Sequence, residues 1–365
     1  MADTAPPVAA EHHGNLIIHL ARGREWRGGE RQVIQLARAL NRAGHWRQLL
    51  VTRAGSLLAS AARDAALTLV ESPWRAALDP RVVGTVLGQA RAESDLTLVH
   101  AHDSHSLVLG VLASRILHCP LIATRRSVTV PGRLWRVPDR VIAISGAVEV
   151  ALRAGGVPPS AIALIPSAID VAALAAQRVG SRDNGPPDLI AIGALTREKG
   201  HRVLVEAFAR VATHLPRATL TILGEGPERG PIEALVRRHG LSSRVALPGD
   251  VPDPAGRLAR ATLLVQPSWR EALGTTVLEA MAVGTAVIAS AVGGLNELLA
   301  GGAGVLVPPG DPASLSEAIT ALCENPARRD MLCQSAAQRV RQYDVSGMAE
   351  RCTEVYRSAL NRPGR

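Results

Sequence analysis

Aromatic residues make up only 2 % of the 365-residue chain, with a single phenylalanine and two tyrosines. Platforms that stack nucleic-acid bases need several such rings, so the net charge of +9 does not point to a nucleic-acid partner. Cysteine is scarce as well. Cys119, Cys323, Cys333 and Cys352 form no Cys-x-x-Cys pair and stand at no zinc spacing with histidine, which predicts reduced thiols in a cytoplasmic protein rather than a disulfide framework. The first residues, MADTAPPVAAEHH, lack the cationic start and apolar core of a secretory leader. The longest apolar run, residues 280–292, is interrupted by Gly284, Thr285 and Ser290 and falls short of the roughly 18 residues a membrane span needs. Lysine is nearly missing: the chain writes its cations as arginine except at Lys199.

What is present is a globular composition, 47 % hydrophobic and 20 % charged, long enough for two domains at about 150 residues each. Short apolar runs alternate with amphipathic stretches, the pattern of strands buried on both faces and joined by crossover helices. Residues 15–20 (NLIIHL) predict a first strand, and Val33, Leu36, Ala37 and Leu40 then recur with helical spacing until Gly44. Further strands are predicted at 48–52, 96–100, 121–124, 141–145 and 161–166. Residues 177–188 (QRVGSRDNGPPD) lose this periodicity and predict a linker. A second series follows at 189–195, 219–223, 244–247, 262–266, 286–289 and 304–307. The fold class is therefore α/β, with two Rossmann-like doubly wound parallel sheets, residues 1–176 and 189–343, facing across a ligand cleft.

Residues 266–298 read QPSWREALGTTVLEAMAVGTAVIASAVGGLNEL, in which Glu271 and Glu279 are separated by seven residues. A strand ends at Pro267, a loop carries Glu271, Leu273 and Gly274, and a helix begins near Thr275. Its free amides and positive end suit an anion. Glu279, about one turn in, can accept paired hydroxyl hydrogens as a ribose-binding carboxylate does; Thr276-x-x-Glu279 also fits a capping box, in which the carboxylate only satisfies a backbone N–H. A second strand-to-helix turn, IGALTREKG at residues 192–200, contains the lone Lys199, whose ammonium differs from guanidinium in size and hydration. In the first half, Gly28-Gly29-Glu30 lies between strand and helix, where glycine permits close backbone approach. His100-Ala101-His102 ends a strand with both imidazoles on one face, ahead of an Asp103 or Ser104 cap. Residues 125–140 concentrate +4 of the +9 charge in Arg125, Arg126, Arg133, Arg136 and Arg140, interleaved with Val130, Leu134 and Trp135, a pattern that suits either an anionic membrane surface or a solvated loop.

Pro267, Ser268, Glu271, Gly274, Leu278, Glu279, Ala280, Met281, Ala282, Gly284, Gly293, Gly294 and Glu297 occur in the order of the family-4 retaining glycosyltransferase motif. The sequence resembles that family over nearly its whole length, most strongly over residues 189–309, and the resemblance implies the GT-B fold. It places Glu279 on the ribose of a nucleoside-diphosphate-sugar donor, Glu271 near the transferred sugar, and the backbone of Leu273, Gly274 and Thr275 on sugar or phosphate oxygens. Arg197 and Lys199 are implied on the diphosphate, Gly28 and Gly29 near donor and acceptor, and His102 near the reacting sugar. It also implies a C-terminal helix, residues 344–365, crossing back to the first domain, and a glycan or lipid-linked acceptor of the cell-envelope or lipopolysaccharide type, met in the cytoplasm or at the inner membrane face. Three places depart from the pattern: Ala194 stands where the family has Arg, IPSAID (residues 165–170) replaces Ile-Pro-Asn-Gly-Ile-Asp, and ATRRS (residues 123–127) replaces a Thr-x-His. No Asp-x-Asp occurs, which predicts a site without metal or other cofactor. The rival readings are a nucleotide-sugar 2-epimerase of the same fold and a non-catalytic basic binding protein.

Overall fold

A computed structural model of the chain describes residues 15–23, 26–91, 97–180, 185–251 and 253–361. The described strands form two parallel sheets. In the first, β1 (Leu16–Leu20), β2 (Arg47–Arg53), β3 (Leu69–Ser72), β4 (Thr97–Ala101), β5 (Leu121–Arg125), β6 (Arg140–Ala143) and β7 (Ile162–Leu164) lie in the order β3-β2-β1-β4-β5-β6-β7. In the second, β8 (Asp188–Ile192), β9 (Thr219–Leu223), β10 (Val245–Gly249), β11 (Leu263–Gln266), β12 (Ala286–Ser290) and β13 (Val305–Val307) lie in the order β10-β9-β8-β11-β12-β13. The order reverses between β1 and β4 and between β8 and β11. At such points successive crossovers leave for opposite faces, and a crevice opens beyond the carboxyl ends of the strands.

Local chemistry accounts for these elements. Every residue of β1 and β12 is buried, because helices cover both faces of a parallel sheet. The helix Gly28–Ala43 buries Val33, Leu36, Ala37 and Leu40 on one stripe and ends at Gly44, whose left-handed backbone (φ 69°) turns its N–H onto the Leu40 and Asn41 carbonyls. The short edge strand β3 is missing from the sequence reading for a physical reason: of LVES only Ser72 is buried, so no apolar run marks it. Within the linker stretch, residues 181–184 lie outside the described residues, as do residues 1–14 and 362–365 at the ends.

The helix Val345–Leu360 lies against the helix Gly28–Ala43. Trp46 donates from Nε1 to Thr353 Oγ1 at 3.1 Å, and the fully buried Tyr356 meets Trp46 edge to face at 5.6 Å. Among the described residues no helix is long and apolar enough to cross a membrane.

Two contacts tie the lobes together beside the cleft. Glu297, on the helix Gly294–Leu298, accepts the amides of Gly146 and Ala147 at 3.1 Å each, at the start of the first-lobe helix Gly146–Ala154. Ser145 Oγ donates to the Ala272 carbonyl at 2.6 Å. The carboxylate satisfies two otherwise unpaired helix amides and meets the positive end of the helix. Glu297→Ala is expected to lower the melting temperature by a few degrees, since two charge-assisted bonds are worth about 1–3 kcal/mol, and Glu297→Gln to lower it less. An unchanged melting temperature in the alanine variant would show that the lobes do not depend on this contact.

Candidate active site

The cleft between the lobes encloses about 900 Å³. The first lobe lines it with Gly28, Gly29, Arg31 and Arg126, and the second with Gly193, Ala194, Lys199, Glu271, Leu273, Gly274, Thr275 and Glu279. The lobes come close at Gly28, where a Cβ would stand 3.3 Å from Thr275 Oγ1. Glycine keeps the passage open there.

In the second lobe, Lys199 ends a short 3₁₀ turn, Arg197–Lys199, and Gly200 follows with φ 69°. A Cβ at Gly200 would sit 2.0 Å from the Pro267 carbonyl oxygen, and Trp269 N–H donates to the Glu198 carbonyl at 2.8 Å. The Lys199 turn is thereby clamped against the loop that follows β11. That clamp brings Lys199 Nζ to 2.6 Å from Glu271 Oε2, so the two residues singled out from separate motifs form one ion pair in the cleft. Gln266 and Ser268 approach the same carboxylate oxygen at 3.4 Å.

The helix Thr275–Val283 starts from Gly274, whose backbone has φ 105° and which has no side chain to cap with. This removes one of the two readings of Glu279. The helix begins with Thr275 rather than after Thr276, so Glu279 is not half of a capping box. Its carboxyl is largely buried at the cleft, 3.9 Å from Arg31 of the opposite lobe. Burial raises its pKa above the ordinary carboxylate value, and Arg31 partly offsets this.

The structure corrects the placement of Arg197 and adds to that of two other groups. Arg197 does not line the cleft with Lys199: its side chain is 87 % exposed and its Nε lies 3.5 Å from Glu228 Oε1, because the 3₁₀ turn sends Arg197 and Lys199 in different directions. Arg31 and Arg126 instead bring cations to the cleft from the first lobe. Arg31 sits one turn into the helix after Gly28-Gly29, a placement that could have flagged it. The arginines of residues 125–140 also fail to form one membrane-facing patch. Arg125 is buried, donates to the Thr129 carbonyl and Oγ1 at 2.8 Å, and stacks 4.9 Å from the buried Trp135; Arg126 lines the cleft, and Arg136 binds the Gly155 carbonyl. His102 lines a side pocket of about 180 Å³ that adjoins the main cleft and shares Gly29 and Arg126 with it.

His102 belongs to a buried cluster with His19 and His100, in which one nitrogen of each ring lies within 4.8 Å of the others. The nitrogens are largely committed: His19 binds His102 and Gln48, and His100 binds Tyr356 and Thr124. Burial lowers the pKa of His19 to about 4 and those of His100 and His102 well below the usual value. His201, buried beside Lys199, is lowered to about 4. For a base with a depressed native pKa, the unfolded chain binds the extra proton as pH falls below about 6.5, so stability is full above that pH and is lost on acidification at about 1.4 kcal/mol per group and pH unit. The melting temperature is expected to fall steadily from pH 7 to pH 5, and a flat profile would contradict four neutral histidines.

Two family models match the chain, one for glycosyl transferases group 1 over residues 175–339 and one for glycosyltransferase family 4 over residues 26–173. A D-inositol 3-phosphate glycosyltransferase of Catenulispora acidiphila is 31 % identical over 77 % of each chain. The phosphatidyl-myo-inositol mannosyltransferase of Mycobacterium leprae is 27 % identical over 90 % of this chain and 92 % of its own. Among solved structures, the Anabaena protein HepE in complex with UDP and glucose superposes with a TM-score of 0.83 over 94 % of this chain and 99 % of its own, at 22 % identity. The chain thus belongs to the family-4, group 1 glycosyltransferases and has their GT-B fold.

Proposed function

We propose that the protein moves a sugar from a nucleoside-diphosphate donor to a hydroxyl of a glycan or lipid-linked acceptor, with retention of anomeric configuration and without a metal ion. The observation that carries this reading is the Lys199–Glu271 pair, 2.6 Å apart in a cleft whose opposite wall is Gly28 and Gly29. In this reading Lys199 and the first amides of the helix Thr275–Val283 meet the charge that grows on the departing diphosphate, with Arg31 and Arg126 adding cations from across the cleft. Glu279 accepts the ribose hydroxyls. Glu271 is held by Lys199 and orients the pair instead of attacking the sugar, so departure and attack take place on one face. The inositol-based acceptors in the names of two relatives support a polyol hydroxyl as the nucleophile.

Thermal stabilisation by a panel of nucleotide sugars tests the donor, since a ligand at about 100 times its dissociation constant adds near 2.7 kcal/mol. UDP-glucose and GDP-mannose are the first probes. Transfer that persists in chelator, with the product's anomeric centre unchanged by NMR, supports the full proposal. Loss of activity in chelator, restored by Mg or Mn, overturns its metal-independent part. Formation of an epimer from the donor alone replaces transfer by epimerisation, and the absence of stabilisation by any nucleotide sugar removes the donor site.

A further inference from the structure

The geometry points to His19 and Gln48 as positioning residues: we propose that they lock His102 into the tautomer protonated on Nε2, leaving its bare Nδ1 to accept a hydrogen bond from a sugar or polyol hydroxyl in the side pocket.

The hydrogen-bond chain starts at a group whose role is fixed. Gln48 Nε2 lies 3.0 Å from the Ala37 carbonyl and also meets Asn41 Oδ1. A backbone carbonyl only accepts, so the amide orientation of Gln48 is set and its Oε1 faces His19 Nε2 at 3.0 Å as an acceptor. His19 Nε2 therefore carries a hydrogen. His19 is buried and neutral, so its Nδ1 is a lone pair, and this lies 2.9 Å from His102 Nε2. Two lone pairs do not approach so closely, hence His102 Nε2 is the donor. His102 is likewise buried and neutral, which leaves its Nδ1 bare.

Two observations then bear on that ring. His102 Nδ1 is a buried ring nitrogen with no hydrogen-bond partner, a costly state unless something supplies a donor. Of the three clustered rings, only His102 lines the side pocket. His100 stacks against it with ring centroids 3.9 Å apart and is itself held between Tyr356 Oη at 2.8 Å and Thr124 Oγ1 at 2.7 Å, so His102 has little freedom to turn. The sheet builds this arrangement: β1 sets His19 opposite His100 in register, and the chain continues from β4 directly into His102. A neutral nitrogen acceptor selects a hydroxyl over a carboxylate or phosphate oxygen. The identity of the hydroxyl as that of a transferred sugar or its acceptor rests on the transferase reading; the tautomer does not.

The test is long-range proton–nitrogen correlation NMR on the full chain with ¹⁵N-labelled histidine. The expected result is that His19 and His102 are each protonated on Nε2 and bare on Nδ1. Gln48→Leu is expected to release the lock and give His102 a mixture of tautomers. A His102 protonated on Nδ1 in the unaltered protein, or a single Nε2–H tautomer that persists in Gln48→Leu, overturns the relay. If the leucine variant does not fold, the unaltered protein still decides the tautomer. Addition of UDP-glucose, and separately of myo-inositol, is expected to shift the His102 Nδ1 resonance, with UDP alone leaving it in place. A shift from myo-inositol but not from UDP-glucose keeps the hydroxyl site and counts against the nucleotide-sugar reading. No shift with either probe overturns the hydroxyl site itself.

Discussion

Lys199→Met is expected to lower the rate of sugar transfer by about 10²–10³-fold, the usual cost of removing one group that stabilises charge developing in a transition state, while leaving the protein folded. The side chain is only partly buried, so its loss opens no core cavity. What is lost is electrostatic. Glu271 would keep only the 3.4 Å approaches of Gln266 and Ser268, and its uncompensated carboxylate would face the place where the proposed diphosphate sits, adding repulsion to the missing attraction. Arginine is expected to restore little. The Lys199 stem packs 3.7–3.8 Å from where a Gly193 Cβ would stand, in a turn fitted to a linear chain with a compact head, and guanidinium is broader and differently hydrated. Initial rates under saturating donor, with circular dichroism to confirm folding, decide the matter. Rates within a factor of about three of the unaltered protein would remove Lys199 from the chemistry.

How much of this site could be read from the sequence depended on how far apart in the chain its partners lie. Glu271, Gly274 and Glu279 sit within one strand–loop–helix unit, and the order of small and apolar residues around them reports that unit directly. The role of Glu279 was ambiguous because a capping box and a cleft carboxylate share the same spacing; only the position of the helix start, one residue before Thr276, separates them. Facing is harder to read than spacing. Arg197 and Lys199 are two residues apart, yet the 3₁₀ turn sends one to Glu228 and the other to Glu271. The arginines of residues 125–140 look like a patch as a string of letters, but Arg125 lies inside against Trp135. Contacts across the lobes left no local trace at all. Glu297 finds the amides of Gly146 and Ala147 about 150 residues away, and the link from Gln48 through His19 to His102 joins three strands or strand ends that only the sheet order brings together.

The largest stability effect is expected at Gly293, a position with no side chain and no direct place in the chemistry. Its backbone has φ 49° and ψ −134°, a combination that side chains disfavour by about 1–3 kcal/mol. A Cβ there would stand 1.9 Å from the Glu271 carbonyl oxygen, closer than any contact can be. Its neighbour is similarly confined: a Cβ on Gly294 would lie 2.6 Å from both the Ala272 oxygen and Leu273 Cα, and Gly294 N–H reaches the Glu271 carbonyl at 3.3 Å. The two glycines therefore form the floor on which the Glu271-to-Leu273 loop rests. Gly293→Ala has to push that loop toward the cleft, so it is expected to cost more than about 4 kcal/mol, the range reached when backbone strain and a clash add together, and to abolish donor binding in whatever fraction stays folded. Gly347→Ala is the matched control. It lies within the helix Val345–Leu360 with nothing within 4 Å of its Cβ position, and alanine there is expected to raise stability by about 0.5–1 kcal/mol. Melting both variants against the parent protein separates the cases, and a Gly293→Ala protein that melts with its parent would mean that the loop does not rest on the glycines.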